Sequence, residues 1–420
     1  MNNSTNNSYR YFVLAMLTVV YIFNFIDRQL LVILQESIKK DLSLSDTQLG
    51  MLSGFTFALF YVTLGLPIAR LADKSSRRNI VAASLGLWSL MTAVSGRAQN
   101  FIQLLLARIG VGVGEAGGSP PAHAMISDYF PPQKRSTALS IYSSGIYFGI
   151  MIGFLMGGYL NQILGWRSAF IALGIPGVLF SIIFYFTVKE PQRGATDTNT
   201  VLSGEASSMF TVFKKLFSTH SFIYLSIATA LHVFCIYGLN NWAPSFLSRL
   251  HLMKGADIGL VLGLFFGIGG AVGTFLSGYL TDRFGKTDKG LYLRIPAIAV
   301  ILSSLFAAGA LFIQHTVSSV VCLGLCAFFQ AMYLGPSLAV AHSLVPASMR
   351  AMTSAILFFI LNIIGLGLGP LTIGYISDRL TPVWHSESLR WAMSIIIVIE
   401  IAAGSFFFIA ARKLKLDTKS

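Results

Sequence analysis

The chain has 420 residues, 54% of them hydrophobic and only 11% charged, and its mean hydropathy is +0.70. A soluble protein of this length could not bury so much apolar surface, so the composition predicts an integral membrane protein. The net charge of +13 would suit nucleic-acid binding, but most basic residues fall in loops on one side of the predicted membrane segments. That asymmetry argues against nucleic acid as a partner and predicts a plasma (cell inner) membrane protein with both termini in the cytoplasm.

Apolar runs of about 20 residues predict twelve membrane-spanning helices and therefore an all-α fold. The first run follows a polar, Asn-rich N-terminus that lacks the basic region and cleavage site of a signal peptide, so we expect it to be retained. The predicted spans are 11–34, 47–69, 79–96, 98–125, 136–160, 167–188, 220–246, 257–280, 292–313, 316–343, 351–375 and 389–411.

One polar stretch is long enough to be a linker, and it divides the spans six and six. We predict an N-terminal six-helix bundle at 1–190, a cytoplasmic linker at 191–218 and a C-terminal six-helix bundle at 219–420. The end of the second span, at 65–74, is echoed at 278–286 after the eighth. Such internal repeats are typical of secondary transporters, in which two bundles rock about a central substrate cavity.

These loops also carry a resemblance to a known family. Residues 69–78 resemble the Gly-x-x-x-Asp-Arg-x-Gly-Arg-Arg loop of the major facilitator superfamily, and residues 278–286 resemble it more closely. A finer resemblance, to the Spinster family, rests on residues 25–29, 41–50, 65–73, 108–121 and 128–131. It implies an amphipathic, lipid-like substrate such as a lysophospholipid or a sphingoid phosphate. It also implies a cavity role for the charged residues of the first and fourth spans.

Four charged residues lie inside predicted spans: Asp27 and Arg28 in the first, Arg108 and Glu115 in the fourth. Seven residues apart on a helix, Arg108 and Glu115 share one face. One intramembrane charge costs about 2.5–3.5 kcal/mol on insertion scales, so we expect all four to share one interior site. The two carboxylates would bind and release protons. The two arginines would set the pKa values of these carboxylates or bind an anionic head group. The alternative is a neutralised network that only holds the helices in register.

The direction of coupling is a further hypothesis. If a proton on Asp27 frees Arg28 for an anionic substrate, proton and substrate occupy the site in turn, which is proton antiport. Further polar residues of the spans are expected to line the cavity: Asn24, Tyr237, Asn240, Gln330 and Tyr333.

Charged residues also lie in the two loops that carry the superfamily motif. The resemblance implies that they clamp a cytoplasmic gate by pairing with neighbouring arginines and helix N-termini of the opposite half; the alternative is a solvated turn. They are Asp73, Arg77, Arg78, Asp282 and Arg283.

Glu400 stands midway along the last span, without an obvious partner in the sequence. It is either a buried, hydrogen-bonded carboxylic acid or a second proton site. The histidines and cysteines show no metal-ligand spacing, so we expect no metal and no cofactor beyond protons as the coupling ion. No catalytic triad or phosphate loop is recognisable, so we do not expect an enzyme.

These observations predict a monomeric, proton-coupled secondary transporter of an amphipathic anionic lipid, working by alternating access within the membrane lipid. One alternative is a proton-coupled transporter of small organic anions or drugs. A second, of another class, is a lipid sensor or receptor that binds such ligands without moving them.

Overall fold

The computed structural model describes residues 3–194, 209–285, 288–346 and 349–417, and within these ranges every regular element is helical. Residues 195–208 of the predicted linker and the side chain of Asp73 lie outside the described part. The all-α prediction is confirmed. Large apolar side chains stay exposed along the helices, among them Phe186 at 78% and Phe275 at 76%, as expected for surfaces that face lipid.

The described helices also agree with the predicted number of spans. Nine helical stretches are long and apolar enough to cross a membrane. Two of these contain a break: Gly165, with φ +77°, divides the 56-residue stretch Pro132–Thr187, and His385, with φ 44°, divides Met352–Leu414. A further 19-residue helix begins with two arginines and supplies the remaining span, Arg77–Ser95. The described chain therefore has twelve spans.

The chain forms two compact units, which we describe separately. Unit 1 comprises residues 1–44, 56–201 and 254–263. Its helices are α1 (Asn3–Leu42), α3 (Thr56–Lys74), α4 (Arg77–Ser95), α5 (Phe101–Glu115), α6 (Ser119–Tyr129), α7 (Pro132–Thr187) and α10 (Gly255–Leu262).

Glycines on α7 bring that helix against α1. A Cβ atom on Gly149 would stand 2.5 Å from Cβ of Phe25, and one on Gly153 would stand 2.9 Å from Cβ of Gln29. Only a residue without a side chain permits so close an approach between two helices. The four-residue glycine spacing on α7 thus fixes the position of α1, the helix that carries Asp27 and Arg28.

Unit 2 comprises residues 45–55, 202–253 and 264–420. It includes the first turns of the second span, while the rest of that span belongs to unit 1. Its helices are α2 (Asp46–Gly50), α8 (Met209–Phe217), α9 (His220–Leu250), α11 (Gly270–Phe284), α12 (Leu291–Phe312), α13 (Thr316–Gln330), α14 (Leu334–Ser343), α15 (Arg350–Leu361), α16 (Gly369–Trp384) and α17 (Ser388–Asp417).

The fourth and tenth spans are each interrupted by three residues. In unit 1 the break separates α5 from α6, which has prolines at positions 120 and 121. In unit 2 it separates α13 from α14, which contains Pro336. Proline has no backbone N–H, so it leaves the carbonyl four residues earlier without its helical donor. Prolines therefore account for both breaks.

Candidate functional site

A buried charged contact in unit 1 joins the first and fourth spans. Nε of Arg28 on α1 donates to Oε2 of Glu115, the last residue of α5, at 2.8 Å. The Glu115 side chain is completely buried, and the Arg28 side chain is 14% exposed. A buried ion pair of this kind is strongly destabilised when only one partner is removed, because the other charge stays in an apolar surrounding.

Aromatic rings surround the Arg28 guanidinium. Its Cζ lies 4.7 Å from the ring centre of Phe57, 5.1 Å from that of Tyr61 and 5.2 Å from that of Phe25. The Cζ of Arg108 lies 5.8 Å from the same Phe57 ring. Ring faces attract a cation without neutralising it, so these rings favour a positive charge on both arginines.

Asp27 and Arg108 are each 1% exposed and lie within electrostatic range of one another and of Glu115. Within the described chain neither carboxylate oxygen of Asp27 has a hydrogen-bond partner of good geometry, although the Thr92 side chain lies close to it. The Nε and Nη1 atoms of Arg108 also lack partners there. Burying a charged group without hydrogen-bond partners costs free energy. These atoms of Asp27 and Arg108 could therefore still bond to a proton or to a ligand.

The four side chains predicted from the sequence therefore lie together in unit 1, with two acids and two arginines. If all are ionised, their charges cancel. A proton bound by Asp27 or Glu115 leaves one positive charge in excess, and this would attract an anion. The arrangement can thus link the binding of a proton to the binding of an anionic group.

The predicted cavity-lining residues are divided between the units. Asn24 is buried on α1 close to Glu115. In unit 2 Tyr237, Asn240 and Tyr333 are partly buried, and Gln330 is only 2% exposed. Gln330 donates from Nε2 to Oε1 of Glu400 at 2.9 Å. Its described contact is therefore with an acid inside unit 2.

The predicted gate residues of unit 1 contact acids that sequence reasoning missed. Arg77 donates to Asp128, and the backbone N–H groups of Arg77 and Arg78 donate to Glu190 at 3.0 and 2.8 Å. Glu190 thus caps the N-terminus of α4, where an anion is favoured by the helix dipole. The guanidinium of Arg78 lies 4.6 Å from the Tyr185 ring centre.

The predicted gate residues of unit 2 form hydrogen bonds with tyrosine hydroxyls of the same unit. The Tyr292 hydroxyl donates to Asp282 at 3.3 Å, and Arg283 donates to the Tyr279 hydroxyl at 2.9 Å. All four side chains are exposed or partly exposed. Their part in a gate stays a prediction.

A second group of charges, which sequence reasoning did not identify as a cluster, lies at the start of α2 in unit 2. Asp46, 1% exposed, accepts two bonds of 2.7 Å from Arg249 on α9 and one of 2.7 Å from the Ser377 hydroxyl. Asp378 on α16 accepts from the backbone N–H groups of Asp46 and Thr47 at 2.9 and 2.8 Å. These bonds hold the first turn of the second span against α9 and α16.

The partner of Glu400 was also missed. Glu400 on α17 is completely buried, and its Oε2 lies 2.6 Å from Nδ1 of His232 on α9. The two residues are 168 positions apart, so the available sequence signal was only that both are polar within apolar spans. No group of three His, Cys, Asp or Glu side chains that could hold a metal ion occurs in the described residues.

Comparison with known proteins adds independent information. Residues 17–370 match the sequence profile of the Major Facilitator Superfamily. An MFS-type efflux pump of Mycolicibacterium smegmatis is 31% identical over 404 residues, covering 96% of this chain and 93% of that protein. A probable galactarate/D-glucarate transporter of Bacillus subtilis is 29% identical over 323 residues, covering 71% of this chain and 70% of that protein.

The architecture also resembles a solved structure. The crystal structure of a bacterial homologue of the human lysosomal transporter Spinster, inward-facing and unoccupied, superposes with a TM-score of 0.86. That protein is 31% identical, and the match covers 97% of this chain and 98% of that one.

Proposed function

This chain belongs to the major facilitator superfamily and is a multi-pass membrane transporter of the Spinster type, and we propose that it moves an amphipathic anionic lipid with its transport coupled to protons. The substrate class proposed is a lysophospholipid or sphingoid phosphate, carried by a monomer in the cell inner membrane with both termini in the cytoplasm. The family and its structural neighbours are transporters rather than enzymes.

One observation carries the proposal: Arg28 is bonded to Glu115 inside a cage of aromatic rings, beside the buried Asp27. A guanidinium offers a planar set of donors that suits a phosphate or carboxylate head group. The rings around it would accept the first carbons of an acyl or sphingoid chain. The same residues thus match both parts of an amphipathic anion.

Proton coupling is supported by the charge balance of the same site. Protonation of Asp27 or Glu115 would leave an arginine charge to be neutralised by the substrate head group. Loss of the proton would restore the carboxylate as the arginine's partner and release the substrate. In this scheme protonation favours binding of the anion, so proton and substrate would cross the membrane together, as symport rather than the antiport hypothesised from the sequence, with no metal or organic cofactor required.

A second candidate, a transporter of small organic anions, is favoured by the similarity to the probable galactarate/D-glucarate transporter. Such substrates also need arginines but have no hydrocarbon chain for the rings. The two candidates therefore make different predictions about which anion is carried.

The test is uptake by liposomes containing the purified protein, with and without an imposed pH gradient. We expect labelled sphingosine 1-phosphate or lysophosphatidylglycerol to accumulate when the gradient is present, and galactarate to be ignored. Accumulation of galactarate alone would establish the second candidate instead. Binding of the lipids without any movement across the membrane would show a sensor.

The matched variant is Asp27→Asn, which keeps size and polarity but cannot release a proton. We expect a folded protein whose lipid flux no longer responds to the pH gradient, because the exchangeable proton of the site is lost. Flux is measured beside the melting temperature of each variant. An undiminished response to pH in this variant would refute the assignment of Asp27 as the residue that binds and releases the coupled proton.

A further inference from the structure

We propose that His232 and Glu400 form a second proton-binding site, located in unit 2, which takes up and releases one shared proton during transport. The inference rests on the proposed proton coupling and adds a site that is separate from the four charges of unit 1. The observations that carry it are the geometry of the pair and the broken tenth span beside it.

The hydrogen bonds of His232 fix where its hydrogens are. Its Nε2 lies 3.0 Å from the backbone oxygen of Gln330, which can only accept, so Nε2 carries a hydrogen. Its Nδ1 lies 2.6 Å from Oε2 of Glu400, and two lone pairs would repel at that distance. One proton must therefore lie between Nδ1 and Oε2. Whether acid or imidazolium holds it, the pair as a whole is neutral.

The other oxygen of Glu400 already has a donor. Oε1 accepts from Gln330 Nε2 at 2.9 Å, and the Ser303 hydroxyl, whose one hydrogen also faces the Val300 carbonyl at 2.8 Å, lies 3.3 Å from it. If the shared proton leaves, Glu400 becomes a carboxylate that still accepts from Gln330. The site thus provides partners for both the occupied and the empty state, which a group buried only for packing would not need.

Within the described residues, three further groups that could titrate face the pair. The thiols of Cys235, on the same helix as His232, and of Cys326 on α13 are buried close to Glu400. The Tyr333 ring stands edge-on to the His232 ring, with centres 4.8 Å apart. His232 and Glu400 are both 0% exposed, whereas Tyr333 is only partly buried. Of these three neighbours, only Tyr333 has part of its surface exposed.

At the break in the tenth span, a backbone carbonyl accepts a hydrogen bond from His232, so the protonation state of the pair affects the backbone. The carbonyls of residues 330, 331 and 332 lose their helical donors between α13 and α14. They accept instead from His232 Nε2 at 3.0 Å, the Thr274 hydroxyl at 3.2 Å and the Ser277 hydroxyl at 2.7 Å. A charged imidazolium donates a stronger hydrogen bond than a neutral ring, so the proton changes how firmly Gln330 is held. Discontinuous helices form coupling-ion sites in other secondary transporters.

The first test counts protons. Purified protein in lipid nanodiscs is titrated between about pH 5 and pH 9 with a pH-sensitive dye. We expect Glu400→Gln to bind about one proton fewer per chain than the wild type. The control is Ser303→Ala, which removes a contact with the same carboxylate but no titrating group, and it should match the wild type. An unchanged proton count in Glu400→Gln would overturn the proposal.

The second test is the pH profile of lipid flux in liposomes. Glu400→Gln keeps a hydrogen-bonding amide in place, so we expect lipid flux driven by a lipid gradient to persist. Accumulation of lipid driven by a pH gradient should fall about tenfold, equivalent to about 1.4 kcal/mol. A role confined to packing would lower both fluxes together and leave the shape of the profile unchanged. That outcome would also overturn the proposal.

The proposed second proton site and the proposed proton coupling can be refuted separately. If Asp27→Asn abolishes the response to pH and Glu400→Gln behaves as the wild type, only the second site is refuted. If wild-type flux ignores pH, the proposed proton coupling itself is refuted. Should Glu400→Gln fail to fold, His232→Gln replaces the ring with an amide that can still donate to the Gln330 carbonyl. It should then lose about one proton in the same titration.

Discussion

The two units place chemically different groups at equivalent points of their broken helices. Both α5 and α13 have fifteen residues and precede a three-residue break, but α5 ends at Glu115 and α13 at Gln330. Glu115 pairs with the cation Arg28, whereas the uncharged Gln330 donates to Glu400. In unit 1 the arginines beside Glu115 can bind an anionic ligand. In unit 2 the uncharged Gln330 lies beside the neutral pair of His232 and Glu400, which can bind a proton but offers no positive charge to an anion.

The breaks themselves also differ. In unit 1 the carbonyl of Glu115 accepts from the N–H of Gly118 at 3.0 Å, within its own turn. In unit 2 the carbonyl of Gln330 accepts from the side chain of His232. The first break is satisfied locally, and the second depends on another helix. We therefore expect the tenth span to respond to changes in its neighbours more than the fourth.

The largest effect should come from removing one member of the ion pair. Arg28→Met leaves Glu115 buried without its cation, which should lower the free energy of unfolding by about 3–5 kcal/mol. Adding Glu115→Gln to this variant removes the stranded charge, so the double variant should regain most of its stability but not its transport. Thermal melting and lipid flux measure the two quantities. A double variant no more stable than Arg28→Met would show that the pair is not what holds these helices.

A smaller effect should follow from making unit 2 resemble unit 1. Gln330→Glu places a second carboxyl group at hydrogen-bonding distance from Glu400, and two such groups cannot easily both ionise. The folded variant should hold an additional proton that the unfolded chain releases near neutral pH. Its stability relative to the wild type should therefore fall as pH rises, by about 1–3 kcal/mol. Parallel melting curves across the pH range would contradict this expectation.

An effect of similar size concerns the backbone of the tenth span. Ser277→Ala removes the donor to the carbonyl of residue 332, and an unsatisfied buried carbonyl costs about 1–3 kcal/mol. Pro336→Ala supplies an N–H four residues after that carbonyl, so it should restore part of the loss when combined with Ser277→Ala. Melting temperatures of the two single variants and the double variant provide the thermodynamic cycle. Additive losses would show that Pro336 does not cause the break.

The sequence predicted the fold well because hydropathy alone determines which segments enter the membrane. It also placed Asp27, Arg28, Arg108 and Glu115 inside spans, since a charge is conspicuous among apolar residues. Which of them touch was not predictable, because a contact depends on the rotation and crossing of two helices. Arg28 and Glu115 are 87 positions apart, and His232 and Glu400 are 168 apart.

Other contacts had weaker signals still. Asp46 and Arg249 stand near predicted helix ends, where charges are common and carry little information. Their pairing across 203 positions depends on α2 packing inside unit 2. The role of Gln330 was likewise hidden, because a polar residue in a span is as easily a cavity liner as a partner for an acid.

The most direct test of the central claim is whether substrate movement drives protons. Liposomes containing the protein and a pH-sensitive dye are given a gradient of sphingosine 1-phosphate but no initial pH gradient. We predict that protons move in the same direction as the lipid, so that the lumen becomes more acidic when the lipid enters, and that Asp27→Asn abolishes this change. Lipid movement with no change in luminal pH would contradict proton-coupled transport.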